Sequence, residues 1–480
     1  MSDCLALALA LVSVALYLPQ GLHFFFQNDD WVYIGHFGRW PVRDFWRIFL
    51  PWESIWMYRP LQVLLYAGLY KAVGLNPLLY NIVLLGMHAV AAWLTYVLIR
   101  TIANTQAALI ALSVFALTWV HGEALLWKGN FNTLLHAVMA LAACICFVRA
   151  CGGGKRGWHV AANAFVLLDL LAKESAVFTP GLMLLSVWCA VDVRVGDWRR
   201  WVRLIAPAGI LCAIYVVIRM VAFRHVLEDE PTYYGFVGVR RAIFQFLYVY
   251  KYALLSFYED PWLAPHIPGA RAALAAMWGP LLVMPALLVW LGVHLRDRTL
   301  LFGLAWLPVA FGPSLALEEF NVGRYYYLAD IGAAVIWARL IQLAIARIAK
   351  MSSGVARYGA MAVGSLLLGY MALANFATIR KQVREQQDDS VAVQRLFGFI
   401  AENRAEIPAG SLVWIYPPAH RQTGVEWGAR EMVQFATGEP SLEGQVDKEP
   451  ISMARRAKLD GFKRLELDMR QEPWHLSKGR

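Results

Sequence analysis

Apolar segments of roughly 18 to 23 residues recur along most of this 480-residue chain, and no other feature narrows its folding options as much. A hydrocarbon core about 30 Å thick is crossed by a helix of about 20 residues. Inside that core there is no water to satisfy backbone N–H and C=O groups, so helices or closed barrels are the permitted solutions. The apolar runs here are continuous rather than alternating, which selects helices. Composition agrees: 59% of residues are hydrophobic and 16% charged, against about 25% charged in soluble domains.

Spans are expected near 4–21, 79–99, 106–122, 131–150, 158–173, 176–193, 202–222, 274–294, 299–317, 325–346 and 357–378, eleven in all. The first run, Cys4 to Pro19, follows the head MSD without a basic n-region or an A-x-A site, so it reads as a retained helix. Twenty Trp and twenty Tyr suit many interfacial helix ends. Lys155, Arg156, Arg194, Arg199, Arg200, Arg203, Arg296, Arg298, Arg347, Lys350 and Arg357 fall in loops on one side by parity, and the positive-inside rule makes that side cytoplasmic. The opposite side then receives a large first loop, 22–78, a second connection, 223–273, and the tail from 379 onward. Within the loops, 61–73 and 243–258 are apolar but short or interrupted by Lys, and read as interfacial or re-entrant helices.

The expected architecture is therefore an all-α polytopic membrane protein with about eleven transmembrane helices, residues 1–378, followed by a small extracytoplasmic α/β region, residues 379–480. GSLVWIYPP in that tail reads as a short strand after a charged helical stretch, and no internal repeat of 30 to 50 residues is present. A net charge of +10 raises nucleic acid as a partner. The basic residues are scattered through short loops without a stripe of interleaved aromatics, so topology and anionic lipid account for them. The six cysteines lie in or beside apolar spans, with no CxxC pair and no disulfide framework.

With this threading the unusual polar groups collect on the outer face. Asp29 and Asp30 follow the first span, Tyr58, Arg59 and Pro60 come later in the same loop, and His121, Gly122 and Glu123 close the third span. Lys173 and Glu174 close the fifth; Glu318, Glu319, Asn321, Arg324, Tyr325, Tyr326 and Tyr327 lie between the ninth and tenth. Ionisable groups at membrane depth are costly and mark functional sites. Each also has a plainer reading. The two aspartates could simply face water, Lys173 could pair with Asp169 four residues earlier, and Glu174 is its neighbouring alternative partner. Arg59 could anchor the membrane surface and Arg324 belong to an aromatic belt. His88 and Asn81 fit interhelical hydrogen bonds, and His121-x-Glu123 is too short to specify a metal.

Taken in order, NDDW (28–31), YRPL (58–61), Asn81 with His88, HGEALLWKGN (121–130), AKES (172–175) and GRYYYL (323–328) resemble the GT-C superfamily of integral-membrane glycosyltransferases. The order is most similar to the O-mannosyltransferases with tetratricopeptide tails and their bacterial relatives. The likeness covers residues 1 to 378; the tail carries no tetratricopeptide period.

The resemblance implies an inverting glycosyltransferase that moves a sugar from a polyprenyl-phosphate donor to an extracytoplasmic acceptor, a protein or a glycan. Such a reaction needs a base for the acceptor and cations for the departing phosphate. Asp29 or Asp30 is the expected base, with Asp29 favoured by the resemblance alone. Lys173 and Arg324, then Arg59, are the expected phosphate partners. His121, Glu123 and Glu174 are expected to orient acceptor or sugar, and Tyr325 and Tyr327 to line the lipid groove. No metal-ligand set is assigned; a divalent cation between the aspartates and the phosphate is an option of the superfamily. A ligase for a whole lipid-linked glycan is the alternative within the enzymes, and a transporter or flippase of a lipid-linked solute the alternative outside them. A transporter should show duplicated halves and broken midplane helices. The expected location is a bacterial inner membrane, with the site facing the periplasm.

Overall fold

The computed structural model describes all residues except 54–56, 192–197, 227–237, 256–277, 317–321, 352, 418–423, 426–427, 448–461, 471–473 and 479–480. Parts of three expected spans (176–193, 274–294 and 299–317), most of the loop 223–273, and Glu318, Glu319 and Asn321 lie outside the described residues.

Each expected apolar run contains a helix among its described residues, though not always over its full length. Among the described residues five helices are long and apolar enough to cross a bilayer: Pro77–Ile102, Lys128–Cys151, Trp201–Val221, Gly323–Ala349 and Gly354–Glu402. A sixth crossing results if Thr105–Leu117 and Trp119–Leu126, bent by 54° at Thr118, count as one. The expected count of eleven is not reached at crossing length among the described residues. The first run forms Ser2–Ala15, whose 14 residues give about 21 Å of helix. Glu174–Ala190, Val283–His294 and Arg298–Phe311 are likewise short and apolar.

Local chemistry fixes the helix ends. Asn76 and Asn104 accept from the backbone N–H groups of Leu78 (3.1 Å) and Ala107 (2.8 Å), and Asp297 from that of Leu300 (3.0 Å). These are N-caps of the kind that satisfy the orphan donors of a first turn. Proline at the first position opens Pro60–Val73 and Pro77–Ile102, where its missing N–H costs nothing.

Pro60–Val73 and Val239–Leu255 are the helices expected from the two short apolar stretches. The largest helix, Gly354–Glu402, has 49 residues and runs without a break through the expected boundary at 378/379. Its first half leaves Val355, Tyr358, Val363 and Leu366 exposed, as a lipid-facing helix would. Its second half buries Ser390, Val393, Leu396 and Ile400 and leads into a small α/β unit. There, strands β1 (Ser411–Tyr416), β2 (Glu443–Val446), β3 (Lys463–Asp468) and β4 (Leu476–Lys478) lie in the order β2-β1-β3-β4. β1 is parallel to β2 and β3, and β4 closes the edge antiparallel to β3. Helix Ala429–Thr437 links β1 to β2, as a parallel pair demands.

Candidate functional site

The acidic motif forms a tight turn that opens directly into the helix Asp29–Phe37. Asp30 N–H donates to the Gln27 carbonyl (2.9 Å), and Gln27 N–H returns a bond to Asp30 Oδ2 (2.8 Å). Asp30 is fully buried; its other oxygen accepts from the Tyr66 hydroxyl. Beneath it, buried Lys128 donates to the carbonyls of Phe24 (2.6 Å) and Phe25 (2.9 Å) and sits close enough to Asp30 to interact electrostatically. Asp30 is therefore built into the loop. Burial pushes its carboxyl upward, and Lys128 opposes that shift.

Asp29 differs. It is half-buried, and its carboxylate accepts no hydrogen bond among the described residues. Burial raises its carboxyl, and Arg324 and then Arg59 pull it back. The NDDW and GRYYYL motifs, far apart in sequence, thus come together through Asp29 and Arg324.

The cations divide in the same way. Arg59 grips Glu174 with two prongs, Nε to Oε2 at 2.8 Å and the terminal nitrogen to Oε1 at 2.7 Å. Arg219 reaches the same carboxylate at 3.4 Å. Arg59, expected at the phosphate, has its charge matched by Glu174, and Glu174, expected at the substrate, is held between two guanidinium groups. Lys173 is buried, donates to the neutral Thr133 Oγ1 (2.9 Å), and stands over the Tyr325 ring at 5.4 Å. The plainer pairing with Asp169 is not made. Asp169 is taken by His136 Nδ1 (2.6 Å) and the Thr179 hydroxyl (2.6 Å). Lys173 lies in the field of Glu174, Arg59, Arg324 and Glu123, so these side chains surround one region.

Arg324 packs over Trp127 and Tyr325, each at 5.5 Å, and Glu123 accepts from its backbone N–H (3.1 Å). Glu123 thereby caps the start of Val322–Ala349, a position that favours a carboxylate. The adjoining Gly323 makes room for it: a Cβ there would fall 2.2 Å from Glu123 Oε2.

His121 and Tyr327 point elsewhere. Both are buried; His121 Nε2 faces Asp330 Oδ2 at 3.4 Å, and Tyr327 bonds to His88 Nδ1. Of the two tyrosines expected at the groove, Tyr325 stands by Lys173 and Arg324, and Tyr327 belongs to the interior. His88 makes the interhelical bond read from the sequence, whereas Asn81 donates to the Leu22 and Phe24 carbonyls and braces the acidic loop. Lys128, Arg219, Tyr66 and Asp330 were not singled out in the sequence. Arg219 and Asp330, charged residues within apolar helices, were a readable signal.

Among the described residues, no three His, Cys, Asp or Glu side chains gather as a metal site. A divalent cation bridging to a donor phosphate would find Asp29 as its carboxylate ligand, because both Asp30 oxygens are engaged.

The fold is similar to those of two solved membrane enzymes, an archaeal oligosaccharyltransferase and a bacterial ArnT. The oligosaccharyltransferase of Archaeoglobus fulgidus, in complex with zinc and sulfate, superposes with a TM-score of 0.54 at 11% identity, covering 97% of this chain and 67% of that one. The same enzyme tethered to an acceptor peptide containing the NVT sequon gives 0.51 at 12% identity, over 93% of this chain and 64% of that one. ArnT from Cupriavidus metallidurans bound to undecaprenyl phosphate gives 0.50 at 15% identity, over 96% and 92%. In sequence, 140 residues are 31% identical to protein O-mannosyl-transferase Tmtc1 of Drosophila melanogaster; they make up 29% of this chain and 16% of that protein. No family model matches the chain.

Proposed function

We propose that this protein is an inverting glycosyltransferase that moves a sugar from a polyprenyl-phosphate donor to a hydroxyl or amide of a protein or glycan acceptor. In this reading Asp29 takes the acceptor proton as the anomeric carbon is attacked from the face opposite the phosphate. The C–O bond to the phosphate breaks, and its electron pair leaves with the polyprenyl phosphate. That dianion is a weak base, so it needs positive charge more than a proton. Lys173 and Arg324 supply it from a partly dry region, where preorganised cations count for more than in water. Arg59 acts at one remove: its pairing with Glu174 fixes the wall on which Lys173 sits.

The observation that carries the reading is the contrast between the two aspartates. Asp30 has both oxygens engaged, while Asp29 has none engaged among the described residues and faces two arginines. ArnT with its bound undecaprenyl phosphate lends support to a lipid-phosphate donor for this fold. An extracytoplasmic site in a bacterial inner membrane is part of the same proposal, resting on the basic-loop side.

The test uses purified protein with a radiolabelled polyprenyl-phosphate hexose and an acceptor extract. Release of polyprenyl phosphate, lost in Asp29→Asn, is the expected result. Release only from donors carrying an oligosaccharide would move the assignment to a glycan ligase. Uptake into vesicles without release would move it to a transporter.

A further inference from the structure

The C-terminal α/β region has no part in the chemistry above, yet it holds the acidic turn from several sides. Asn28 N–H donates to the Gly424 carbonyl at 2.7 Å. Gly428 presses on the other side of Asn28, so that a Cβ there would stand 2.4 Å from the Asn28 carbonyl oxygen and 2.7 Å from Trp31 Cβ. From the long helix, Ser390 Oγ accepts the Phe25 N–H (2.6 Å) and Gln386 Nε2 donates to Gln27 Oε1 (2.8 Å). Phe397 stacks on Trp31 with ring centroids 5.3 Å apart and planes within 14°.

Asn28 needs such a hold. Its φ of 42° with ψ of −118° is a conformation that residues with a side chain rarely adopt, and it persists where neighbours over-determine it. Asn28 immediately precedes Asp29, so its dihedrals set the direction in which the Asp29 carboxylate leaves the backbone. Tilting that peptide swings Asp29 relative to Lys173 and Arg324, which are fixed on other helices. Misplacement of a reacting group by about 1 Å costs roughly a hundredfold in rate.

We propose that Gly428 is a positioning residue: through it the C-terminal region clamps Asn28 at positive φ and aims Asp29 into the site. This rests on the reading of Asp29 as the base. The long helix and the segment leading into helix Ala429–Thr437 are then one working part with the acidic turn, since the clamp is made from both.

The test compares full-length Gly428→Ala with wild type, and uses Lys463→Ala, an exposed position on β3, as the control. Two readouts are taken: transfer from a polyprenyl-phosphate hexose, and backbone hydrogen exchange of the peptide spanning 24–34. Gly428→Ala should lower kcat at least tenfold with donor KM within twofold, and speed exchange in the turn at least tenfold. Lys463→Ala should do neither. Ser390→Ala deletes one hydrogen bond without adding an atom, and should shift both readouts in the same direction by about threefold; it decides the question if Gly428→Ala does not fold. Wild-type exchange and wild-type kcat in the two glycine and serine variants would overturn the clamp. So would a fall in kcat matched by an equal rise in KM with exchange unchanged. If wild-type protein transfers no sugar from any such donor, the transferase reading fails, and the exchange data still decide whether the clamp exists.

Discussion

Arg59 and Glu174 lie 115 residues apart in sequence and form a two-pronged ion pair, with contacts of 2.7 and 2.8 Å. Arg219 adds a third contact to the same carboxylate. Both partners of the main pair are largely shielded, at 13% and 23% side-chain exposure. Removing one partner of such a pair leaves a charge unmatched, which costs more than the pair contributes. Glu174→Ala should therefore lose about 3 kcal/mol of stability and unfold at lower temperature in detergent. Arg219→Ala, which leaves the two-pronged pair intact, should cost clearly less. Equal melting of the two variants would mean that Glu174 is not the hub.

The two aspartates should separate cleanly by experiment. On the proposed reading Asp29→Asn removes the base, a carboxylate that accepts no hydrogen bond among the described residues, so turnover should fall by about 10²–10⁴-fold with an unchanged melting temperature. Asp30→Asn alters a carboxylate that accepts from Tyr66 and from the Gln27 N–H beside buried Lys128. It should lower the melting temperature and weaken activity through the loop. Transfer rates and thermal unfolding of the same two preparations provide the check; a thermally unaltered, inactive Asp30→Asn would reverse the assignment.

The pH profile follows from Asp29. Burial raises its carboxyl, and Arg324, then Arg59, hold part of that rise back. A base must be deprotonated, so the acid limb of kcat/KM should lie above the ordinary carboxylate range. Arg324→Ala removes the larger of the two restraints and should move that limb to still higher pH. The stability effect has the opposite direction. The folded protein binds this proton more tightly than the unfolded chain, so the Asp29 contribution is lost as pH rises from the unfolded value through the folded one. A limb that shifts to lower pH in Arg324→Ala would contradict the geometry.

Much of this was legible in the sequence. Apolar length pointed to helices, and YRPL, AKES and GRYYYL hold Arg59, Glu174 and Arg324, whose charges lie around Lys173. Crossing number was not legible. A run such as 4–21 is apolar enough to span, yet its helix stops at Ala15, ahead of Pro19, which cannot continue it. Nor could one-dimensional order show that Glu174 is held by Arg59 and Arg219, or that Tyr325 and Tyr327, two residues apart on one helix, face different surroundings. Which of two adjacent carboxylates is engaged depends on Tyr66 and Lys128, contributed by distant segments.

Lys173 donates to a neutral hydroxyl, and on the proposed reading its charge serves the donor phosphate. Lys173→Met keeps the length and apolar stem and removes the charge. It should lower kcat by about 10²–10³-fold, the effect of losing roughly 2.7–4 kcal/mol of charge stabilisation. Binding of undecaprenyl phosphate, followed by native mass spectrometry, should weaken in parallel. Unimpaired binding and turnover would remove Lys173 from the site.

Lys128 makes the strongest demand on the acidic loop. Its ammonium serves the Phe24 and Phe25 carbonyls and lies near Asp30. Lys128→Met leaves two buried carbonyls without that donor and Asp30 without its nearby cation, which should cost several kcal/mol. If the charges are coupled, removing both should hurt less than the separate losses predict. The double variant Lys128→Met with Asp30→Asn should therefore be more stable than the sum of the singles, by about 1–3 kcal/mol. Thermal unfolding of the four proteins in one detergent closes the cycle. Strict additivity would show that Lys128 holds the Phe24 and Phe25 backbone independently of Asp30, and the acidic turn would then depend on hydrogen bonding rather than on a buried charge pair.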